Sequence, residues 1–437
     1  MQLPLLQTND RFSCGSCTHC CDQPWRTMIE ADKAKALHAH DFSKYPQLAG
    51  RQFYSPAADG RDGFYDLAKG EGTRCLFLDA DGLCIIHKEL GAEAKPAMCR
   101  QFPFLPSRTW TDDRLAMNFG CPSVQANQGE PLTRQSADIA SILPASSKPH
   151  KGAGAGIPFD TASTLTHEEY DAVCDHALTL FDEARAADIW TRFAELLSTL
   201  AALQEGLRKS PNGVIDDRSV SKIMTDASAA PSSIRVEAFA SPPAAPMAAR
   251  MLFAATLHPD TLSAGQTGRD GLFLRMSRIP RLMALAQLSG AYASRVLARN
   301  VAIDDVLAHP VRSELEPAAT RLLARYFRSR FWARLLVGTR LPIVAGVHQH
   351  IHDFNAIVFL ARAEAHHRGQ TLLSEPLIRE ALARVEFHIA NQSRLYEQTM
   401  RGWLKSRLCD VRLAQKSLGL MAVHKSAKID AALATVS

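Results

Sequence analysis

The sequence lacks the long apolar runs and the targeting pattern that would place it in or across a membrane. No stretch reaches the roughly 18 uninterrupted apolar residues that a transmembrane helix needs. The nearest candidate, residues 332–346, is broken by Arg334, Arg340 and Pro342. The first ten residues have neither a basic segment nor a long apolar segment, so they do not resemble a secretory signal. These absences predict a cytoplasmic protein with no membrane partner.

The sequence also lacks a strong excess of charge. Its formal net charge is +5 over 437 residues, which is too small to indicate a nucleic-acid binder. Apolar residues make up 46% of the chain, an ordinary value for a globular protein. A chain of this length can form two or three domains with a sizeable core, so disulfide staples are not needed for stability.

Cysteine is scarce over most of the chain and concentrated near its start. Beyond residue 121 there are only Cys174 and Cys409, which we expect to be small buried residues in helices. The eight others are Cys14, Cys17, Cys20, Cys21, Cys75, Cys84, Cys99 and Cys121. Because disulfides are disfavoured in the cytoplasm, this concentration of thiols predicts a metal site.

The cysteine spacing favours an iron–sulfur cluster over zinc without excluding zinc. Cys14, Cys17 and Cys20 have the x2, x2 spacing of the bacterial ferredoxin run, which a remote Cys-Pro completes, and Cys121-Pro122 is such a pair. Structural zinc usually has two paired knuckles, whereas here one run is followed by widely separated single cysteines. Eight thiols exceed the four that one centre needs. Either two centres form, or some of the thiols have redox or structural roles.

The sequence around these cysteines resembles the cysteine-cluster superfamily of zinc- or iron-chelating proteins. Three blocks carry the resemblance, and they occur in the expected order with seven of the cysteines: residues 12–25, 75–87 and 95–103.

Within that superfamily, the chain resembles the flagellin lysine N-methylase family. The features are Trp25 after the double cysteine, the Lys95-Pro96-x-x-Cys99-Arg100 block, Phe119-Gly-Cys121-Pro, the total length and the helical second half. The resemblance implies a protein-lysine N-methyltransferase that uses S-adenosylmethionine and a cysteine-ligated iron–sulfur cluster, of the 4Fe–4S type, with zinc as the alternative. It implies flagellin or another lysine-bearing protein as substrate, and no nucleic acid.

By the same resemblance, all eight N-terminal cysteines are candidate metal ligands. They are Cys14, Cys17, Cys20, Cys21, Cys75, Cys84, Cys99 and Cys121. The sequence has neither a Gly-rich loop in the strand–loop–helix context of a methyl-donor fold nor a C-x3-C-x2-C motif. The catalytic and donor-binding residues are therefore unassigned. The alternative function is a non-catalytic zinc- or iron-chelating protein, or an iron–sulfur redox protein.

The predicted fold is mainly α. A loop-rich cysteine-cluster module with short strands, residues 1–125, is joined by a linker, 126–162, to a helical domain, 163–437, on which it packs. Hydrophobic periodicity predicts the later helices at 247–258, 279–299, 315–337, 343–368, 374–398 and 400–423.

Local patterns add several specific expectations. Asp79-Ala-Asp-Gly82 predicts a hairpin turn, with residues 84–87 as the following strand. Thr166 and Glu169 have capping-box spacing. His348 and His352 share one helix face, and we expect them near the surface or at a helix start.

Basic side chains close to the cysteines are expected to affect the thiolates. Arg100 directly follows Cys99, while His87 and Lys95 also lie near cysteines in the sequence. A positive charge beside a negatively charged thiolate cluster would stabilise it electrostatically.

Overall fold

A computed structural model gives two units, residues 1–149 and 150–437. The structure describes the chain except for residues 1–6, 8, 24, 110–111, 144–155, 210–219, 221, 227–244, 258–282, 295–298, 313, 336–340, 389–402 and 423–437. The first unit consists of short strands, short helices and loops, and the second is helical. The prediction of a mainly α fold with a loop-rich N-terminal module is confirmed.

The strands of the N-terminal unit form separate small antiparallel sheets. They are β1 (Arg11–Phe12), β2 (Met28–Glu30), β3 (Tyr54–Pro56), β4 (Phe64–Leu67), β5 (Phe104–Arg108), β6 (Asp113–Met117) and β7 (Glu130–Pro131). Strand β1 pairs with β7, the order β2-β4-β3 makes a three-stranded sheet, and β5 and β6 form a hairpin.

The helices of this unit are all short. They are α1 (Ala31–Ala39), α2 (Ile85–Leu90), α3 (Ala97–Gln101), α4 (Pro122–Ala126) and α5 (Ser136–Ile142). Single 3₁₀ turns occupy His19–Cys21, Pro46–Leu48, Ala92–Ala94 and Leu132–Gln135.

A small aromatic and aliphatic core supports the middle of the N-terminal unit. Phe42, Phe53 and Phe77 contact one another edge to face, with ring centroids 5.3 to 5.6 Å apart. Cys75 and Cys84 pack against this core while remaining partly exposed. Two candidate ligands are therefore positioned by hydrophobic burial before any metal is considered.

The prediction of a hairpin at residues 79–82 is confirmed for the turn and wrong for the strand after it. The turn forms, since the N–H of Gly82 donates to the carbonyl of Asp79 at 3.1 Å and that of Asp79 to the carbonyl of Leu83 at 2.9 Å. The strand predicted at 84–87 is wrong, because α2 begins at Ile85. Ile85 and Ile86 are both buried against the core, and so short an apolar run fits either a strand or a buried helix.

The C-terminal unit is built from helices and two small hairpins. The helices are α6 (His167–Leu180), α7 (Ile189–Lys209), α8 (Met247–Leu257), α9 (Ile303–Ala308), α10 (Pro317–Trp332), α11 (Ile343–Arg368), α12 (Glu375–His388), α13 (Trp403–Leu408) and α14 (Val411–Leu418). The hairpins pair β8 (Ile157–Pro158) with β9 (Thr164–Leu165) and β10 (Ala291–Ser294) with β11 (Arg299–Ala302). Among the described helices, none is long and apolar enough to cross a membrane.

Helix α11 is the centre of this unit. It packs against α8, α9, α12, α13 and α14, and it is buried at almost every position. His348 and His352 lie on it with no exposed surface, so the expectation that these histidines are near the surface is wrong. A helix covered on all faces buries its polar residues together with the apolar ones, which a periodicity argument does not anticipate.

Several helix predictions are confirmed, and two are wrong in part. The predicted helix 343–368 matches α11, and the capping box at Thr166 forms, with the Thr166 N–H donating to Glu169 Oε2 at 2.7 Å. The predicted helix 279–299 fails over its second half, where β10 and β11 form a hairpin. The predicted helix 400–423 is interrupted at Asp410, whose carboxylate caps α14.

Ordered structure also occurs inside the range predicted as a linker, residues 126–162. Strand β7 and helix α5 lie at its start and β8 lies near its end. The glycine-rich stretch 152–156 lies outside the described residues, apart from Gly156. The domain boundaries at 125 and 163 remain predictions.

Candidate metal centre

All eight candidate cysteines lie on loops or at the ends of short elements in the N-terminal unit. Cys14 and Cys17 precede the 3₁₀ turn that contains Cys20 and Cys21. Cys84 and Cys121 occupy the residues just before α2 and α4, and Cys99 lies within α3. Cys75 forms an isolated antiparallel bridge with Lys69. Every cysteine of the chain is a free thiol.

The cysteine run is coiled by two residues with left-handed backbone conformations. Ser16 has φ 50° and Thr18 has φ 60°, which are uncommon for residues with a side chain. The N–H of Cys21 donates to the carbonyl of Thr18 at 2.8 Å and closes the turn. This coiling places four thiols on one compact loop.

The start of the run is held against the loop that carries Cys121. A Cβ on Gly15 would lie 3.1 Å from Ser123 Oγ, and Ser123 is in the first turn of α4. A Cβ on Gly129 would collide with Ser13, at 2.4 Å from its nitrogen, and Gly129 also has φ +109°. Gly129 has no room for a side chain, and a Cβ at Gly15 would crowd Ser123, so the chain beside Cys14 lies close to the segment after Cys121.

The end of the run is hydrogen-bonded to the segment that carries Cys75. The Cys75 N–H donates to the carbonyl of Cys21 at 2.8 Å. Leu78 then forms an isolated antiparallel bridge with Cys84 across the turn at residues 79–82. Cys21, Cys75 and Cys84 are therefore linked through backbone contacts over the aromatic core.

Helix α3 is tied to strand β2, and this fixes the position of Cys99. The N–H of Ala97 donates to Glu30 Oε1 at 3.1 Å, and the N–H of Met28 donates to Met98 Sδ at 3.1 Å. Burial, together with negative charge on Cys75, raises the pKa of Cys99 to about 12. Burial also raises the pKa of Cys75, to about 11. A bound metal cation would favour the deprotonated form of such thiols.

Cys20 and Cys21 are adjacent in space as well as in sequence. Their sulfur atoms lie 3.8 Å apart. The hydrogen bond between the two thiols, together with burial, strongly raises the pKa of Cys20. The same hydrogen bond lowers the pKa of Cys21 to about 7. The positive charges of Lys95, Lys69 and Arg74 act in the same direction, whereas burial acts against them. The pair should therefore lose its first proton more readily than an isolated buried thiol.

Three cations surround the second half of the cysteine set. Burial raises the pKa of Cys84, Cys99 and Cys75; Lys95 opposes that rise at Cys84 and Cys99, Lys69 opposes it at Cys75, and both lysines help to lower the pKa of Cys21. The Lys69 ammonium donates to the carbonyl of Gln23 at 3.0 Å, and Arg74 donates to the carbonyl of Asp79 at 3.0 Å. These contacts hold positive charge where thiolate charge would accumulate.

The expected role of Lys95 therefore agrees with the structure, while Lys69 and Arg74 were missed. Arg74 immediately precedes Cys75, so the sequence contained a signal for it. The guanidinium of Arg100 pairs with Glu93. That pairing supplies a carboxylate to balance the Arg100 charge.

The donor set fits a thiophilic metal, although the ligand shell is not closed. Free thiols on short loops, with cations beside them, suit zinc or iron–sulfur ligation. Among the described residues, no group of three or more His, Cys, Asp or Glu side chains is arranged to hold a metal ion. The structure therefore brings the loops together and leaves the choice of ligands among the eight cysteines a prediction.

Comparison with known proteins gives a family match for the cysteine-bearing segment. Residues 13–122 match the model of the CxxCxxCC family, described as "Putative zinc- or iron-chelating domain". The matched range contains all eight candidate cysteines. No curated protein matches the chain, and no solved structure does. The cysteine-cluster superfamily inferred from the sequence is thus supported, and the match ends before the helical unit begins.

Proposed function

We propose that residues 13–122 bind an iron–sulfur cluster through cysteine thiolates. The observation that carries the proposal is the gathering of eight free thiols in one unit, with Lys69, Arg74 and Lys95 beside them. The ferredoxin-like run with its remote Cys121-Pro122 supports iron–sulfur over zinc. Positive charge near the thiolates would offset the net negative charge of a thiolate-ligated cluster.

Anaerobic purification followed by iron, zinc and acid-labile sulfide analysis tests this proposal. A brown protein that contains iron and sulfide in similar amounts supports the cluster. A colourless protein that holds only zinc, even after anaerobic reconstitution with iron and sulfide, contradicts it. Cys174→Ala is the matched control, because Cys174 is fully buried in α6 of the other unit and its removal should leave the metal content unchanged.

We further propose that the protein is an S-adenosylmethionine-dependent protein-lysine N-methyltransferase. The support is the resemblance of the cysteine blocks to the flagellin lysine N-methylase family, so flagellin is the first substrate to test. In the reaction, the methyl group would pass from the sulfonium sulfur of the donor to the lysine nitrogen, which gives up a proton.

A cavity in the C-terminal unit could receive the methyl donor. It measures about 580 Å³, and its lining includes Asp160, Gln204, Arg208, Asp410 and Arg412. Pockets of this size accept molecules as large as a nucleoside derivative. The arginines would suit the carboxylate of S-adenosylmethionine, and the carboxylates would suit its hydroxyl and amine groups.

Binding and transfer are measured separately. Calorimetry with S-adenosylmethionine should show saturable binding, weakened at least tenfold in Arg412→Ala and unchanged in Lys416→Ala, an exposed residue on the same helix. Labelled donor with purified flagellin should give labelled lysine. Metal-loaded protein that binds no donor would contradict the methyltransferase and leave the chelating domain.

A non-catalytic chelating protein is the second candidate, and the family match favours it. That match covers only the cysteine domain and is described by chelation alone. Stoichiometric zinc without donor binding would support this candidate. A reversible visible chromophore without donor binding would instead support an electron-transfer protein.

A further inference from the structure

Four arginines are buried among the described residues of the C-terminal unit, and three of them are well satisfied by the chain. Arg192 donates four hydrogen bonds to main-chain carbonyls, at 2.6 to 3.2 Å. Arg330 pairs with Glu386, and Arg334 pairs with two aspartates of α6. These contacts follow the general rule that a buried charge is paired or hydrogen-bonded.

The fourth buried arginine, Arg362 of α11, departs from this rule. Only 5% of the residue is exposed. Its single hydrogen bond within the described part of the chain runs from Nη2 to the carbonyl of Leu307 at 2.9 Å, and its Nε is buried without a partner. No carboxylate of the described residues offsets its charge. Burial is the only cause that shifts the pKa of Arg362, which falls to about 10, so the guanidinium stays charged at neutral pH.

The acidic residues closest to Arg362 along its own helix and on α9 are engaged elsewhere. Glu364 lies two positions further along α11, on a different face of the helix, and it pairs with Arg384. At the far end of α9, Asp304 accepts the N–H of Gly290 at 2.7 Å. Neither carboxylate therefore compensates the buried positive charge.

The Arg362 guanidinium lies where the end of α9 meets α11, close to two histidines. Leu307, which accepts its hydrogen bond, is two residues before His309, and His366 is one helical turn after Arg362. The rings of His309 and His366 contact each other edge to face, with centroids 5.2 Å apart. His309 Nε2 donates to the carbonyl of Gln370 at 2.7 Å, which orients its ring, and His366 is exposed. The junction thus combines a buried guanidinium with imidazole rings nearer the surface, and both kinds of group donate hydrogen bonds.

We propose that the junction of α9 and α11 binds an oxyanion, the phosphate or carboxylate group of a small ligand, through the guanidinium of Arg362, with His309 and His366 on its outer side. A guanidinium presents its donors in a planar fork that matches either anion. The anion would accept from the unpartnered Nε and supply the missing negative charge. The site requires neither a bound metal nor a methyl donor, so it is independent of the proposed function.

Titration of the full-length protein with inorganic phosphate, followed by phosphorus NMR, tests the site. Binding should be saturable, with chloride at equal ionic strength as the reference. Arg362→Met keeps the apolar stem and removes the charge, so it should weaken phosphate binding by about tenfold or more. Arg321→Met is the matched control, because Arg321 is an exposed arginine of α10, and it should bind phosphate as the parent does.

A parallel titration with acetate, a simple carboxylate, followed by calorimetry, distinguishes the two sources of the anion. Binding of phosphate alone indicates a phosphorylated ligand, binding of acetate alone indicates a carboxylate ligand, and binding of both indicates a general oxyanion site. In each case the binding must depend on Arg362. A parent protein that binds neither anion overturns the proposal, and so does an Arg362→Met variant that binds as tightly as the parent. Neither result bears on metal or donor binding, which are measured separately.

Hydrogen exchange of the parent protein provides a second test that does not depend on a variant folding. Phosphate should slow amide exchange in α9 and in the part of α11 around Arg362, relative to chloride at the same ionic strength. Exchange in α6 should be unchanged. Protection spread evenly over the C-terminal unit, or no added protection in α9, would show that phosphate acts elsewhere and would overturn the site.

Discussion

The two units of the molecule contrast in what holds their segments together. The N-terminal unit has short elements, several separate small sheets and a modest aromatic core around Phe77. The C-terminal unit surrounds the buried helix α11 with other helices and closely packed aromatic rings. From this contrast we predict that hydrophobic packing suffices for the second unit, whereas a bound metal would supply much of the stability of the first.

The helix ends differ in part between the two units, since α9, α10 and α11 of the C-terminal unit also lack a side-chain cap hydrogen bond. In the C-terminal unit, Thr166 and Asp410 cap α6 and α14 with side-chain hydrogen bonds. In the N-terminal unit, none of α1 to α5 has a side-chain cap hydrogen bond. Cysteines occupy the position before α2 and α4, where Ser, Thr or Asp would usually stand. Candidate metal ligands therefore occupy N-cap positions at which a capping side chain would have stabilised the helix.

Removal of the metal should have the largest effect and separate the two units. We expect chelator to abolish amide protection in β2 and β4 while α11 remains protected, because structural metal sites of this kind contribute on the order of 10 kcal/mol to folding. Hydrogen exchange read by mass spectrometry measures both units in one sample. If both units lose amide protection to the same extent, or if neither unit loses any, the proposed difference between them is wrong.

Loss of an aromatic ring in the helical core should be the next largest effect. Phe354 is fully buried, with its ring centroid 4.9 Å from Trp190 and 6.0 Å from Phe193. Phe354→Ala should lower the free energy of unfolding of the C-terminal unit by about 3–5 kcal/mol. Denaturant titration followed by helical circular dichroism measures the change.

The metal content of Phe354→Ala should equal that of the parent protein. Met247→Ala is the control, since this side chain is 45% exposed and its removal should have little effect on unfolding. A Phe354→Ala variant that loses metal would show that the two units are not energetically independent.

Acid should weaken the helical unit through its buried histidines. Burial lowers the pKa of His348 to about 4 and that of His352 well below its usual value of 6.5. The unfolded chain binds protons at its histidines below that value and the folded chain does not, so stability falls as the pH drops. At about pH 5 the loss should be about 2 kcal/mol per histidine.

His352→Leu should reduce this acid dependence, because neither ring nitrogen of His352 has a hydrogen-bond partner. His367→Gln, at an exposed position of the same helix, should keep the full dependence. The measurement is the midpoint of urea unfolding between pH 7 and pH 5. If the urea midpoint of His352→Leu falls between pH 7 and pH 5 as steeply as that of the parent protein, the buried histidines do not control the acid response.

The smallest expected effect concerns the helix cap. Thr166→Ala removes the hydroxyl that accepts the Glu169 N–H and should cost about 1 kcal/mol. Thr166→Ser retains the hydroxyl and should be close to the parent. Thermal unfolding monitored by circular dichroism distinguishes them, and equal melting temperatures for the alanine and serine variants would argue against the cap.

Much of the helical unit could be predicted because its signals are local. The bounds of α11 and the capping box at Thr166 follow from apolar spacing and side-chain chemistry within a few residues. The hairpin of β10 and β11 could not be predicted in this way, since the apolar residues there also fit a helix. The break before α14 depends on Asp410, whose capping role is ambiguous within a continuous apolar pattern.

The candidate site shows the same limit. Local sequence reasoning identified the cysteines and Lys95 but missed Lys69 and assigned Arg100 a role near the thiolates. Which cation lies near which thiol depends on how separate loops approach each other, and the Arg100 guanidinium pairs with Glu93. The turn at residues 79–82 was predictable from Asp and Gly, but the helix after it was not, because only the core decides how Ile85 and Ile86 are buried.

The sequence by itself determined the supply of thiols, the division into a cysteine-rich and a helical part, and the strongest helices, because these depend on residue type and spacing along the chain. Only the tertiary structure decided that the Cys75 N–H donates to the Cys21 carbonyl, that Gly15 approaches Ser123, and that His348 is buried. Such pairings join residues far apart in sequence. They depend on how whole segments pack against one another, and the sequence of one segment alone does not determine that packing.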